Sequence, residues 1–298
     1  MKLAAIDIGS NAIRLLVKDT ESDAFLSDLD SLHAGDYYER VPLKSGIDVF
    51  AHGAIQPKTE ITLTAAICRF ASIMQHYQVT AYRACATSAY RDAANGQEVI
   101  DRVNKASGLN VEIIPGDEEA RITRLSYCPP AEWEDDTFLF ADVGGGSTEI
   151  ALMRQGKVLY SHSFQIGSMR YVCGNQSPEQ EQALDQKIAE IYHDHPTLHY
   201  LGVGGCVKFM NKYLNGGRGN TVLVSEMRTV YKDLQSLSVD QIVENYGLPH
   251  ERADILTPAS SIFLHIAEGL HSDTIMVPSI GVRNGIITEL YHLHCKQQ

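Results

Sequence analysis

The sequence predicts an α/β protein with mixed sheets, divided into two similar domains. Three observations predict this. First, apolar runs of strand length alternate with longer segments of helical period along the chain. Second, the stretch Asp142-Val-Gly-Gly-Gly-Ser-Thr-Glu149 lies between two apolar runs, 137–141 and 150–153. It has a counterpart near the N-terminus, where Asp7-Ile-Gly-Ser-Asn11 separates the apolar runs 3–6 and 12–17. Third, 298 residues is the length of two domains or one large one. The two copies stand nearly half the chain apart. That is too far for a solenoid repeat but suits two domains that each open with a strand, a turn and a strand, the turns facing each other across a cleft.

Taken in order, residues 2–19 read as a hairpin around the first Asp-x-Gly turn, and 25–41 as a further strand region. Residues 44–53 look like a loop. A helix is expected from Gln56-Pro57 to about His76, because proline is favoured in a first helical turn. A strand follows at 79–86, a turn at 87–91 and a helix at 92–106 stopped by Gly108. Residues 111–114 form the next strand, and Pro115-Gly-Asp117 leads into a helix opening at Glu118. The best boundary is 128–136, a proline pair followed by acidic residues. It divides the chain into a first domain, 1–127, and a second, 128–298, with a closing helix at 282–298 able to pack back on the first. Within the second domain, strands are expected at 137–141, 150–153, 157–165, 199–203 and 274–277. Helices are expected at 178–193, after Gly204-Gly205, at 239–246, at 254–270 and from Val282; 167–170 reads as a turn and 216–219 as a loop.

Composition excludes several classes. Asp and Glu outnumber Lys and Arg by 37 to 25, for a net charge of −12. This argues against binding a nucleic-acid polymer, which favours a basic surface. It also requires any polyanion site to concentrate its arginines. The six cysteines form no CxxC pair and read as reduced thiols of a cytoplasmic protein. No apolar run reaches the ~20 residues of a membrane span, and Met1 leads straight into a strand with no signal-peptide layout.

The glycine turns carry the chemistry. Gly144, Gly145 and Gly146 let backbone approach a ligand closely, and successive N–H groups in such a turn bind anionic oxygens. Ser147 and Thr148 add hydroxyl donors. Asp142 and Glu149 place carboxylates beside the anion, which is repulsive unless a cation intervenes or a carboxylate handles a proton. The octapeptide thus suggests a metal-assisted phosphate site; a glycine hairpin with solvated acids is the plainer alternative. Acids at a helix start, such as Glu118 and Glu119, are stabilised there by the helix dipole in any case. Arg14, within a strand, reads equally well as an ion-pair partner.

Six motifs occur in order: Asp7-Ile-Gly-Ser-Asn11 with Arg14, Thr87-Ser-Ala-Tyr-Arg91, Gly116-Asp-Glu-Glu-Ala-Arg121, Asp142-Val-Gly-Gly-Gly-Ser-Thr-Glu149, Gly167-Ser-Met-Arg170 and Gly281-Val-Arg-Asn-Gly285. Together they closely resemble the exopolyphosphatase/guanosine pentaphosphate phosphohydrolase (Ppx/GppA) family, in its short form without the C-terminal HD-type domain. The resemblance implies two ribonuclease-H-like domains of the actin, sugar kinase and Hsp70 superfamily around a cleft. It makes Glu119 the catalytic glutamate, Glu149 a second functional glutamate and Arg91 a functional arginine. It maps phosphate contacts onto Ser10, Asn11, Gly145, Gly146, Ser147 and Thr148, adjoining Gly144. It associates Asp142 with magnesium (or manganese), held together with Glu149 and Asp7. Arg14 and Arg170 are then candidates to hold further phosphates.

The implied activity is release of orthophosphate from the end of inorganic polyphosphate by Mg-assisted water attack, with guanosine pentaphosphate (pppGpp) as the alternative substrate. A kinase or ATPase of the same superfamily and a non-catalytic polyphosphate or alarmone sensor are the competing classes. Family members often dimerise, so a homodimer is expected too. One departure stands out. Where the family has Gly-x-Gly-Gly-Thr, this chain has Gly202-Val-Gly-Gly-Cys206, and the missing hydroxyl leaves the distal contact, and with it the substrate preference, open.

Overall fold

The computed structural model describes residues 1–21, 31–127, 133–216 and 218–294. Part of the expected 25–41 strand, the start of the 128–136 boundary and Gly217 of the 216–219 loop lie outside the described residues. The chain forms two compact units, Met1–Tyr127 with Ser279–Gln298, and Cys128–Pro278.

In the first unit, β1 (Lys2–Ile8), β2 (Ala12–Asp19) and β3 (Tyr37–Pro42) are followed by α1 (Ser45–His52), α2 (Pro57–His76), β4 (Ala81–Ala86), α3 (Ser88–Asp92), α4 (Gly96–Ser107), β5 (Val111–Ile113) and α5 (Gly116–Leu125). The sheet order is β3-β2-β1-β4-β5. β1, β2 and β3 form an antiparallel meander, while β4 and β5 join parallel to β1. The alternation in β1 and β2 is weak because both faces are covered: Leu3 to Ile6 and Leu15 to Val17 are all buried.

The second unit repeats the plan. It runs β6 (Thr137–Val143), β7 (Thr148–Arg154), β8 (Lys157–Phe164), α6 (Ser168–Val172), α7 (Pro178–Asp194), β9 (His199–Val203), α8 (Gly205–Asn215), β10 (Thr221–Leu223), α9 (Val224–Ser236), α10 (Val239–Tyr246), α11 (His250–Ala253), α12 (Leu256–Gly269) and β11 (Thr274–Met276). Its sheet order is β10-β11-β9-β6-β7-β8, again an antiparallel meander (β6, β7, β8) with β9 and β11 parallel to β6. Each unit therefore has the ribonuclease-H-like sheet that the resemblance implied.

The last helix, α13 (Val282–His294), returns to the first unit. The second unit thus ends at Pro278, and the closing helix, expected to be able to pack back on the first domain, is grouped with the first unit. The physical reason is the apolar stripe Val282, Ile286, Ile287 and Leu290. It buries against Leu3 and Ala5 of β1, Leu16 of β2 and Ile122 of α5, and fully burying such side chains is worth about 1.5–3 kcal/mol each. A Cβ at Gly285 would overlap the Ile122 carbonyl, so α13 and α5 meet backbone to backbone. The expected 44–53 loop contains α1, and the expected 167–170 turn overlaps α6. Both helices are too short for a periodic signal, yet both matter to the site. Among the described residues no helix is long and apolar enough to cross a membrane.

Candidate functional site

Both Asp-x-Gly turns sit at the carboxyl ends of parallel strands, the edge where open α/β sheets place ligands. In the second unit, the Gly144 N–H donates to Ser147 O at 2.9 Å and closes a tight turn. Every intervening carbonyl is then held from one side. Gly144 O accepts from the Ser168 N–H (3.0 Å) and hydroxyl (3.2 Å), Gly145 O accepts from the Met169 N–H (2.8 Å), and Gly146 O accepts from Arg170 Nε (2.6 Å). In a trans peptide the N–H points opposite to the C=O of the same plane. Fixing these carbonyls on α6 therefore aims the N–H groups of Gly145, Gly146 and Ser147 the other way, into a concavity suited to anionic oxygens. The Gly145 and Gly146 N–H groups have no acceptor among the described residues. Gly167 has to be glycine, since a Cβ there would collide with the Gly145 carbonyl.

The first unit uses the same device. The Gly9 N–H donates to Ala12 O at 3.1 Å, Ser10 O accepts from the Gly46 N–H at 2.8 Å, and Asn11 O accepts from the Leu43 N–H at 3.3 Å. The Ser45 hydroxyl lies 3.4 Å from the carbonyls of Gly9 and Ser10. Here the N–H groups of Ser10, Asn11 and Ala12 are turned outward. Ser45 and Ser168 thus occupy equivalent places, each opening the short helix after the third strand of its meander. Sequence reasoning missed both. The available signal was the repeated order of strand, turn, two strands and then a Ser-led segment.

The residues beside the two turns differ. Asp7 faces Arg14 across the β1–β2 pair, and Arg14 Nη1 donates to Asp7 Oδ2 at 3.0 Å. Asp7 is thus an ion-pair partner of a guanidinium in this structure. At the same register in the second unit, Asp142 faces Glu149. Glu149 is 4% exposed, and its Oε1 accepts from the Ser163 hydroxyl at 2.7 Å. Among the described residues no three His, Cys, Asp or Glu side chains cluster as a ligand set. Two carboxylates on one face nevertheless fit Mg²⁺, which is commonly held by one or two carboxylates with water and substrate oxygens completing its shell.

Two of the expected phosphate ligands have other work. The Thr148 hydroxyl donates to Ile166 O at 2.7 Å and the residue is fully buried, so it fastens β7 to the segment before α6 and cannot reach a ligand. Arg170 is 7% exposed, with Nε on Gly146 O and Nη1 on Asn175 Oδ1 at 2.8 Å. It braces the turn from behind. Cys206 likewise points away from the site, its sulfur 3.4 Å from the Ser260 hydroxyl on α12, and burial pushes its thiol up to about 12. The cysteine at this position thus packs its sulfur against α12.

Arg91 and Glu119 come together in the first unit. Arg91 Nη1 donates to Glu119 Oε2 at 2.9 Å and to Ile114 O at 2.8 Å, and Glu119 is 9% exposed. The neighbouring Glu118 is committed elsewhere. It accepts from Arg121 (2.6 and 2.8 Å) and from Arg83 (2.9 Å), and the Arg121 hydrogen bonds foremost hold it down at about 2. Helix α5 therefore separates its two acids by a 100° turn, one locked in an ion network and the other beside Arg91.

A profile of the Ppx/GppA phosphatase family matches residues 38–294. Exopolyphosphatase 1 of Mycobacterium tuberculosis is 32% identical over 151 residues, covering 51% of this chain and 42% of that protein. The guanosine-5'-triphosphate,3'-diphosphate pyrophosphatase of Photobacterium profundum is 22% identical over 307 residues, covering 96% of this chain and 59% of that protein. The chain thus spans about half the length of these curated relatives. The crystal structure of an exopolyphosphatase from Cytophaga hutchinsonii shares the fold, with a TM-score of 0.80 at 20% identity over 98% of this chain and 97% of that one.

Proposed function

Because the chain belongs to the Ppx/GppA phosphatase family, we propose that it hydrolyses phosphoanhydride bonds and releases orthophosphate from the end of inorganic polyphosphate. The observation that carries this reading is the pair of turns whose peptide N–H groups are aimed outward by bonds to their carbonyls. Such turns recognise phosphate oxygens without regard to what else the substrate carries.

Hydrolysis of a terminal phosphoryl group needs little covalent chemistry from the protein; positioning and charge stabilisation dominate. Glu119 orients the attacking water and accepts its proton. Arg91 fixes the direction of that carboxylate and is the guanidinium proposed to meet the reacting phosphoryl group, for which its planar fork is suited. The N–H groups of Gly145, Gly146 and Ser147, and those of Ser10 and Asn11, bind non-bridging oxygens. Asp142 and Glu149 would hold Mg²⁺, which when bound supplies neutralising charge to phosphate oxygens.

A second reading, guanosine pentaphosphate as substrate, is favoured by the Photobacterium relative, which matches nearly the whole chain. We place the activity in the cytoplasm, in keeping with the four described cysteines, Cys68, Cys85, Cys173 and Cys206, being free thiols. We further propose a homodimer, the state the resemblance implies, with light scattering as its test.

The test is orthophosphate release with Mg²⁺ from long-chain polyphosphate, short-chain polyphosphate, guanosine pentaphosphate and ATP, with Glu119→Gln as control. Release from polyphosphate, lost in the variant, is the expected result. Release from guanosine pentaphosphate alone moves the assignment to the second reading. No release from any of the four overturns the hydrolase.

A further inference from the structure

Glu118 belongs to a closed ring of charges. Arg83 on β4 donates to Glu118 (2.9 Å) and to Glu289 on α13 (2.6 Å), and Arg121 on α5 donates to the same two carboxylates, at 2.6 and 2.8 Å to Glu118 and 2.5 Å to Glu289. A further bond ties Arg83 to Glu112 on β5 at 2.7 Å. The side chains of Arg83, Glu118 and Glu289 are each about one-fifth to one-quarter exposed. A ring of this kind, unlike a single surface pair, holds each member from two directions.

Its placement is what matters. Glu118 and Glu119 are adjacent in the first turn of α5. The ring anchors that turn on one side and Arg91 receives Glu119 on the other. Helix α13 touches α5 backbone to backbone at Gly285 and Ile122, so a shift of α13 is passed to α5 without side-chain slack. We propose that the Arg83–Glu118–Arg121–Glu289 ring sets the position of Glu119, and that Glu289, from the far end of the chain, is a positioning residue for the hydrolysis. This rests on the reading of Glu119 given above. It assigns α13 a task beyond covering the sheet: the attacking water is held by a carboxylate whose helix is registered by the C-terminal helix.

The test uses the full chain carrying Glu289→Gln. On the substrate hydrolysed by the wild type, kcat falls about tenfold or more while KM stays within about twofold, as expected for a group displaced by a fraction of an ångström. Arg83→Lys, which keeps the charge but cannot bridge two carboxylates as a fork, shows the same split and covers the case in which Glu289→Gln fails to fold. The double variant Glu118→Gln/Glu289→Gln costs no more than the worse single one, because both break one ring. A second readout needs no substrate: the ¹³C carboxyl resonance of Glu119 moves in Glu289→Gln. An unchanged kcat in both single variants, or an unmoved Glu119 resonance, overturns the proposal. If the wild type hydrolyses no phosphate chain, the resonance alone decides the ring, and the failure belongs to the proposed function.

Discussion

The two Asp-x-Gly turns have the same length, the same closing hydrogen bond and the same bracing by a Ser-led helix, yet differ in charge. In the first, the residue across from the aspartate is Arg14; in the second it is Glu149. One cross-strand position thus decides whether the aspartate has a cationic neighbour, and the proposed Mg²⁺ requirement of the second turn rests on that difference. Duplicated backbone supplies two similar turns, and divergence at a single register position separates an aspartate faced by an arginine from one faced by a second carboxylate. The neighbouring acids follow suit. In the first unit Glu119 and Glu118 both meet arginines, whereas Glu149 in the second meets the Ser163 hydroxyl.

The sharpest way to break this comparison is to remove the proposed general base of the first unit. Glu119→Gln is expected to lower orthophosphate release by about 10²–10⁴-fold, the usual contribution of a general base, with an unchanged thermal midpoint. A loss of less than tenfold would move the water-activating role to the second unit. Next, Glu149→Gln should raise the Mg²⁺ concentration for half-maximal rate by roughly tenfold or more, and Asp7→Asn should leave it in place. A Mg²⁺ titration in which both variants shift equally would erase the distinction drawn between the turns.

Backbone geometry gives a smaller effect. Gly167→Ala forces a methyl group into the Gly145 carbonyl and should destabilise the second unit by about 1–3 kcal/mol, read from urea unfolding, while weakening phosphate-chain binding. If binding is untouched, the α6 brace does not shape the receptor. The smallest effect is a pH dependence confined to the first unit. Glu118 is held at about 2 against an ordinary 4.5, so its contribution is complete above the ordinary value and disappears as pH falls from there towards 2. The difference in melting temperature between wild type and Glu118→Gln should therefore narrow over that acid window and stay constant from pH 6 to 8. A difference that narrows on the alkaline side instead would contradict the ion ring.

Several features were legible in the sequence for local reasons. Asp142 to Glu149 announces a turn because glycine, small polar residues and flanking apolar runs act within a few residues of one another. The helix opening at Glu118 follows from Pro115-Gly116 and the acids after it, and the family motifs marked Glu119 ahead of Glu118. Helices α1 and α6 were not legible: five to eight residues give no helical period, and their value lies in bonds to turns more than twenty residues upstream. The same holds for Thr148 and Arg170. Their residue types suit phosphate, but the hydroxyl of one is spent on Ile166 O and two nitrogens of the other are bonded to Gly146 O and Asn175.

By itself the sequence determined the α/β class, the duplication and the two turns, because strand patterning and glycine chemistry are local properties of a chain. Only the tertiary structure decided which face each aspartate meets, that α13 completes the first unit, and that Arg83, Glu118, Arg121 and Glu289 close a ring. Those outcomes join residues up to 206 positions apart, and no local preference encodes a partner at that distance. The burial of α13 on the sheet is what brings them together.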